Sequence, residues 1–473
     1  MSERDLVIIG GGAGGLVVAS VAAQLGRRVT LIEKADRLGG DCLHHGCVPS
    51  KSLIRSAQVA ALMRRGADFG LANCDPRVDL ARVNAHVQSV IEHIQQHDDP
   101  ERFRGYGCEV LLGEGARFIS PREVQVGERI IRARRFVIAT GARPVLPDIP
   151  GLAEAPVSTN LDLFSLQALP RRLVVLGGGP IGVEMGQALA RLGSEVTIVQ
   201  RGAQLLPLED AEVVARLAAR LAAEGIRVRA GVSVDAIVTD TDSGAAQLHC
   251  SDGTRLGADR ILVATGRRPN VEGLGLEAAG VDYTRRGIRV DRRQRSSQKH
   301  IYACGDVCGP YAFTHMAEHQ AGVVISNAVF RFPKKTDYRV VPWVTYTDPE
   351  LARVGLTEAQ AREQGIEPTV LRFEFSEVDR AITEVETAGL YKLVTHRGRI
   401  LGATILGPHA GELLHEIVLA MQTGAKIGDI SAAIHAYPTL AQVHRRVVNS
   451  AYAPKLYSPL TRGLVKWINR LLP

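Results

Sequence analysis

Two cysteines in the stretch GGDCLHHGCVPSK are the most chemically loaded pair in this 473-residue chain. Cys42 and Cys47 could form a disulfide, bind a soft metal together with His44 and His45, or act as separate buried thiols. In a regular helix their spacing would put the Cα atoms roughly 8.6 Å apart. A disulfide spans only roughly 4.4–6.8 Å. Pairing therefore requires an irregular backbone between them, and Gly46 supplies that freedom. Pro49 suits the first turn of the helix that follows, KSLIRSAQVAALMRR. A thiol near a helix start is shifted toward its thiolate and is reactive.

The elements that must position this pair begin upstream. LVIIGGGAGG runs from a buried-strand pattern into Gly10, Gly12 and Gly15, then into a helix rich in Ala and Val. The next strand, VTLIEK, ends in Glu33. This is the dinucleotide fingerprint in its full context: a tight turn that lets the backbone approach a pyrophosphate, and a carboxylate for ribose hydroxyls. The pattern recurs at LVVLGGGPIGVEMGQALARLGSEVTIVQR, with Gly177, Gly179 and Gly182. Here the second strand ends in Gln200 and Arg201 instead of an acid, which favours NADPH over NADH, because arginine accepts a 2′-phosphate that a carboxylate repels. Each unit is followed by a similar phrase, one holding Thr140 and Gly141, the other Thr265 and Gly266. Two such units imply two dinucleotides, with electrons passing between them.

The bulk properties agree with a multidomain globular chain. Hydrophobic residues make up 45% and charged residues 23%, and the formal net charge of +7 is scattered, which argues against a nucleic-acid partner. No apolar stretch has the length of a membrane span, and the N-terminus does not read as a signal peptide. Seven unevenly spaced cysteines point to a reducing cytoplasm, not a secreted disulfide framework.

The motif GGDCLHHGCVPSK resembles the redox segment of class I pyridine nucleotide–disulfide oxidoreductases, a family that includes lipoamide dehydrogenase and mercuric reductase. YACGD, FTHMAEHQA and VPWVTYTDPELARVGLTEAQA extend the resemblance from about Leu6 to about Val443. It implies an α/β fold: two Rossmann-type domains plus a C-terminal α+β dimerisation domain. The expected boundaries are 1–148 and 268–338 for FAD, 149–267 for NAD(P), 339–453 for dimerisation and 454–473 for a tail. It also implies electron flow from NAD(P)H through FAD to a Cys42–Cys47 disulfide, and on to a sulfur-group acceptor. Cys47 matches the flavin-proximal cysteine and Cys42 the interchange cysteine. Lys51 and Glu184 match a lysine beside the flavin and its acidic partner, and Glu184 also belongs to the NAD(P) set. Gly115, Asp306 and Ala317 match further FAD contacts. Pro180 stands where relatives carry a gating tyrosine. Cys304 and Cys308, with the other cysteines, read as structural.

The segment HAYPTLAQ departs from the disulfide reductases. Their proton-shuttling histidine is replaced by Tyr437 and its orienting glutamate by Gln442. An unperturbed tyrosine is only about 0.1% ionised at neutral pH, so it is a poor base for Cys42. His435 is a substitute if extended alternation keeps it on the same side as Tyr437. Mercuric reductases carry tyrosine here but deliver metal through a C-terminal cysteine pair, and no cysteine follows Cys308 in this chain. Metal-ion reduction and direct flavin oxidation, as in a diaphorase or quinone reductase, are therefore the alternatives. A homodimer is expected, with Tyr437 completing the partner's site. The tail SPLTRGLVKWINRLLP reads as a basic amphipathic helix. Docking on its own subunit is the favoured expectation; an anionic surface at the inner face of a membrane is the other.

Overall fold

The strand Leu6–Ile9 shows how the first sheet is built. Its side chains alternate between two cores: Leu6 and Ile8 face one, Val7 and Ile9 the other. All four are buried, as expected of a parallel strand covered on both faces. Burying each such side chain contributes roughly 1.5–3 kcal/mol. In the computed structural model, which describes residues 3–240, 242 and 244–472, this strand lies at the centre of a five-stranded parallel sheet. The order is Ile301–Ala303, Phe136–Ile138, Leu6–Ile9, Val29–Glu33, Cys108–Leu112. Helices Ala13–Gln24 and Thr314–Ala328 pack together over one face. The antiparallel strands Ala116–Ser120, Glu123–Val126 and Arg129–Arg132 lie over the other.

The second parallel sheet repeats the arrangement. Its order is Arg227–Ala230, Glu195–Gln200, Arg172–Leu176, Arg260–Val263, Val157–Ser158. A three-stranded antiparallel sheet from Val234 to Ala258 accompanies it. The strands Ala142–Pro144 and Arg267–Pro269, each directly after a Thr-Gly phrase, pair with one another. Both sheets belong to one compact unit, formed by Met1–Arg64, Cys74–Arg201 and Ile226–Asp337.

The other compact unit comprises Arg65–Asn73, Gly202–Gly225 and Tyr338–Pro473. Its five-stranded antiparallel sheet runs Pro342–Thr345, Glu350–Gly355, Arg399–Gly407, Leu390–His396, Thr369–Glu374. Helix Ala410–Thr423 covers it. The architecture is thus α/β, with two Rossmann-type halves and a mixed C-terminal domain. A buried ammonium ties the C-terminal unit together: Lys392 Nζ lies 2.8 Å from Asp210, 2.9 Å from Glu212 and 3.3 Å from Glu358. Burial alone would lower its pKa, but the hydrogen bonds to Asp210 and Glu212 outweigh that and raise it.

The C-terminal tail is helical from Pro459 to Leu471. Ser458 caps it, its hydroxyl accepting from the Thr461 N–H. None of the helix's residues is buried. The expectation that it docks on its own subunit is therefore overturned: its apolar side chains find no cover among the described residues of the protomer. No helix among the described residues is long and apolar enough to cross a membrane.

His444 sits fully inside the C-terminal unit, its Nδ1 3.0 Å from the Tyr391 hydroxyl and its Nε2 3.9 Å from Glu416. Burial holds its imidazole below the usual pKa, against the opposing pull of Glu416. The unfolded chain therefore takes up this proton first as pH falls. Stability declines below about pH 6.5, by at most about 1.4 kcal/mol per pH unit for one withheld proton. Urea melts between pH 7 and 5 should show this slope flattened in His444→Asn; an unchanged slope removes His444 as its source.

Candidate active site

At the end of strand Leu6–Ile9 the chain must turn sharply into helix Ala13–Gln24. Gly10 does so at φ +108°, and a Cβ on Gly15 would collide with the Gly10 carbonyl oxygen. Both oxygens of Glu33 are engaged: Oε2 accepts from the Gly11 N–H at 2.6 Å and Oε1 from the Ala35 N–H at 2.9 Å. Gly12 caps the helix in extended conformation, and Gly40 packs against it so closely that a Cβ on Gly40 would stand 2.7 Å from the Gly12 Cα. The fingerprint turn therefore fixes the start of the cysteine segment. A helix N-terminus, a preset acid and a glycine cradle fit the pyrophosphate and ribose of a dinucleotide.

The second turn is nearly a copy. Gly177 takes φ +110°, and a Cβ on Gly182 would collide with the Gly177 carbonyl. Gly179 caps helix Pro180–Leu192, with Pro180 as its first residue. Gln200 Oε1 accepts from the Gly178 N–H at 3.0 Å, the same bond that Glu33 makes with Gly11, but from a neutral group. Arg201 beside it is exposed. Gly266 lies in the loop at φ +146°.

The cysteine segment breaks between Cys42 and Cys47, as a close approach of the two sulfurs requires. A short helix Gly40–His44 ends, and a second begins at Cys47 and runs to Met63. Gly46 between them approaches so closely that a Cβ would stand 3.0 Å from the Asp41 carbonyl and 3.2 Å from the Cys42 Cα. The helix starts two residues earlier than Pro49 signals, so Cys47 itself is its first residue. Both cysteines are free thiols here. The Cys42 thiol donates to Cys47 and is pushed far up, by that bond and by burial. Cys47 is pushed down to about 6, by the Cys42 hydrogen bond above all, against a burial penalty, with help from Thr314 and Lys51. Cys47 Sγ and Thr314 Oγ1 are 3.5 Å apart. Lys51, one turn on, reaches Glu184 at 2.8 Å, and the Glu184 side chain is only 6% exposed.

Arg267 and Asn160, which the motifs alone did not single out, hold the acids and backbone next to this pair. Arg267 bridges two acids, 3.0 Å from Asp41 and 3.8 Å from Asp306. Burial raises the pKa of Asp306, against the pull of Arg267. Asn160 donates to the His45 carbonyl at 3.0 Å. Thr140 and Gly141 are tied to Asn270: Thr140 Oγ1 donates to the Asn270 carbonyl at 2.8 Å, and the Asn270 N–H donates to the Gly141 carbonyl at 2.9 Å. Ala317 is buried in the helix beginning at Thr314, beside Gly305. Gly115 lies in the loop before Ala116–Ser120, where a Cβ would meet nothing within 4 Å. His44 does not turn to the cysteines; its Nε2 lies 2.8 Å from the Leu38 carbonyl. Burial pushes the Cys304 thiol up to about 12 and Cys308 well up, so both stay protonated.

The HAYPTLAQ segment lies in the C-terminal unit. Tyr437 is 69% exposed, and Gln442 is the first residue of helix Gln442–Ser450. His435 does not share the outward face of Tyr437. Its side chain is 7% exposed, with Nε2 3.1 Å from Glu416 Oε1 and Nδ1 3.2 Å from the Ala433 carbonyl. The expected alternation fails because Glu416, on the covering helix, offers a partner inside the unit. No periodicity could reveal that partner.

With this geometry in view, the class is clear from comparison with known proteins. Residues 4–321 match the model of the pyridine nucleotide-disulphide oxidoreductases, and residues 341–447 match the dimerisation domain of that family. The chain belongs to this family, whose members are flavoproteins that use FAD and NAD(P)H, and its dimerisation domain supports a homodimer. Among relatives, a dihydrolipoyl dehydrogenase of Thermus scotoductus is 38% identical over 93% of this chain and 96% of its own length. A mercuric reductase of Staphylococcus aureus is 34% identical over 93% of this chain and 81% of its own. The Cu(II) complex of the HOCl-induced flavoprotein disulfide reductase RclA from Escherichia coli superposes with a TM-score of 0.86, at 29% identity over 94% of this chain and 99% of that one.

The acidity of Cys47 is measurable. In the reduced, flavin-free protein, alkylation of Cys47 by iodoacetamide, followed by mass spectrometry, should titrate with a midpoint at about pH 6. Cys42→Ala should move that midpoint up, toward about 8.5, because it deletes the leading donor. A midpoint indifferent to Cys42 contradicts the coupling.

Proposed function

We propose that the chain takes electrons from NADPH and passes them, through FAD and the Cys42–Cys47 pair, to a sulfur-group acceptor. The observation that carries this reading is the placement of two free thiols side by side, with Cys47 at a helix start beside Thr314 and one turn from the Lys51–Glu184 ion pair. Gly10, Gly12, Gly15, Glu33, Lys51, Gly115, Thr140, Gly141, Asp306 and Ala317 hold FAD; Gly177, Gly179, Gly182, Glu184, Arg201 and Gly266 hold the nicotinamide nucleotide. When bound, FAD supplies two-electron transfer between nicotinamide and dithiol. Lys51, fixed by Glu184, is a cation that favours the Cys47 thiolate.

Cys42 is the nucleophile toward the acceptor. Its sulfur attacks one sulfur of the acceptor disulfide while its proton moves to Cys47, and the first acceptor thiolate leaves. Cys47 then attacks Cys42 Sγ, closing the intramolecular disulfide. The second acceptor sulfur leaves with the proton from Cys47, and solvent protonates the first. This route gives the Cys42 proton a destination that does not depend on Tyr437. Tyr437, exposed on one protomer, is offered to the site of the other as a hydrogen-bond donor to the acceptor.

A second reading is reduction of a soft metal ion held by Cys42 and Cys47. It is favoured by tyrosine where an imidazole base would serve thiol exchange, and by the reductase relatives and the Cu(II)-bound neighbour.

Steady-state turnover with lipoamide separates these readings. Cys42→Ser should cut it by at least about 10³-fold, with NADPH still bleaching the bound flavin. Wild-type turnover with Hg(II) or Cu(II) but not with lipoamide favours the metal reading. Acceptor turnover that survives Cys42→Ser means that electrons leave the flavin directly. For the nucleotide, kcat/KM should favour NADPH over NADH, and Arg201→Glu should lower that ratio by roughly tenfold, the order of one charge-assisted contact. An unchanged ratio removes Arg201 from recognition.

A further inference from the structure

The tail helix Pro459–Leu471 has two distinct faces and not one buried residue on either. At 3.6 residues per turn, Leu460, Leu464, Val465, Trp467, Ile468 and Leu471 fall within an arc of about 160°. Leu460 is 84% exposed, Trp467 60% and Leu471 59%. Arg462, Lys466 and Arg470 fill a separate arc of about 80°. Just upstream, Leu456 and Tyr457 are exposed as well. So large an apolar surface is unfavourable in water and marks a surface that something covers.

Charge decides what covers it. Residues 430–473 contain no Asp or Glu, but hold Arg445, Arg446, Lys455, Arg462, Lys466 and Arg470. That one segment accounts for six of the chain's formal net charge of +7. A second copy of the helix would set like charge against like charge, and it has no acid with which to build interhelical pairs. A bilayer containing anionic lipid offers both an apolar layer and the opposite charge. At 13 residues the helix is too short to span a bilayer, and its basic arc suits headgroups, not the acyl interior. Long Arg and Lys stems reach up to the headgroups while Trp467, an aromatic with one polar edge, lodges at the boundary.

We propose that Pro459–Leu471 lies flat in the surface of an anionic phospholipid bilayer and docks the flavoprotein there. It is a surface anchor, not a span. The docking is reversible, because a single amphipathic helix provides modest apolar burial and its charge term is screened by salt.

The test is sedimentation of the full-length, FAD-loaded protein with vesicles of phosphatidylcholine alone, or with about one-third phosphatidylglycerol. Binding should be roughly tenfold or more stronger to the anionic vesicles and should fall with added salt. The double variant Leu464→Glu with Trp467→Glu should lose it, as should the triple variant Arg462→Glu, Lys466→Glu, Arg470→Glu. NADPH-dependent ferricyanide reduction should be unchanged in both, which shows that the fold and flavin are intact. Only two tryptophans are present, so the difference in emission between wild type and Trp467→Phe isolates Trp467. It should shift to the blue on adding anionic vesicles. Equal binding to both vesicle types overturns the proposal, as does binding that survives either set of substitutions. Assembly beyond a dimer without vesicles, abolished by Leu464→Glu with Trp467→Glu, would overturn it too and assign the face to another copy of the chain.

Discussion

One sulfur at the first residue of a helix governs much of what surrounds it. Cys47 begins a 17-residue helix, and the second cysteine must double back to reach it. A Cβ at Gly46 would stand 3.0 Å from the Asp41 carbonyl, closer than such atoms normally sit, and a glycine at position 40, at φ +63°, lets the preceding turn rest on the fingerprint at Gly12. The chain thus uses three small residues to bring a nucleotide turn, a helix start and a second thiol to one place. Lys51 lies on the same helix, and its carboxylate partner comes from the helix of the second fingerprint. One hydrogen-bonded ion pair therefore joins the cysteine helix to the other Rossmann-type half.

The electrostatics follow a common rule. Three charges drawn into the structure are each held by more than one partner: Glu33 by two backbone N–H groups, Lys392 by three carboxylates, Arg267 by two acids. A buried charge with one weak partner would shed its charge or unfold its surroundings. His444 takes the other course and remains neutral.

How much of this was legible in the residues depends on the range over which each feature is determined. The strand–turn–helix at Gly10 and at Gly177 is local, since a buried apolar run, a glycine turn and an Ala-rich helix follow one another in sequence, and these were readable. The break at Gly46 was readable too, once the motif's resemblance implied that the two cysteines meet. The exact start of the helix at Cys47 was not, because Pro49 marks only that a first turn is near. The inward turn of His435 was hidden, since its cause, Glu416, lies on another helix. Arg267 was hidden for the same reason: its two acids are brought to it by separate segments of the chain. The amphipathic pattern of the tail could be read, but whether its face finds a cover is a property of the folded surface, and the structure leaves that face bare.

The two fingerprint turns are so nearly alike that they raise an issue of molecular mistaken identity. Gly10 and Gly177 have almost the same φ, and each is crowded by the carbonyl of the alanine before its Thr-Gly phrase. Any compound that carries only the half common to both coenzymes, adenosine with its phosphates, meets nearly the same backbone twice. The backbone alone gives such a compound little by which to tell the two turns apart. Near the turns, the side chain that differs at the shared bond is Glu33 in one and Gln200 in the other. An inhibitor meant for one turn must draw its selectivity from Glu33 against Gln200 and its neighbour Arg201, or from what lies beyond the phosphates.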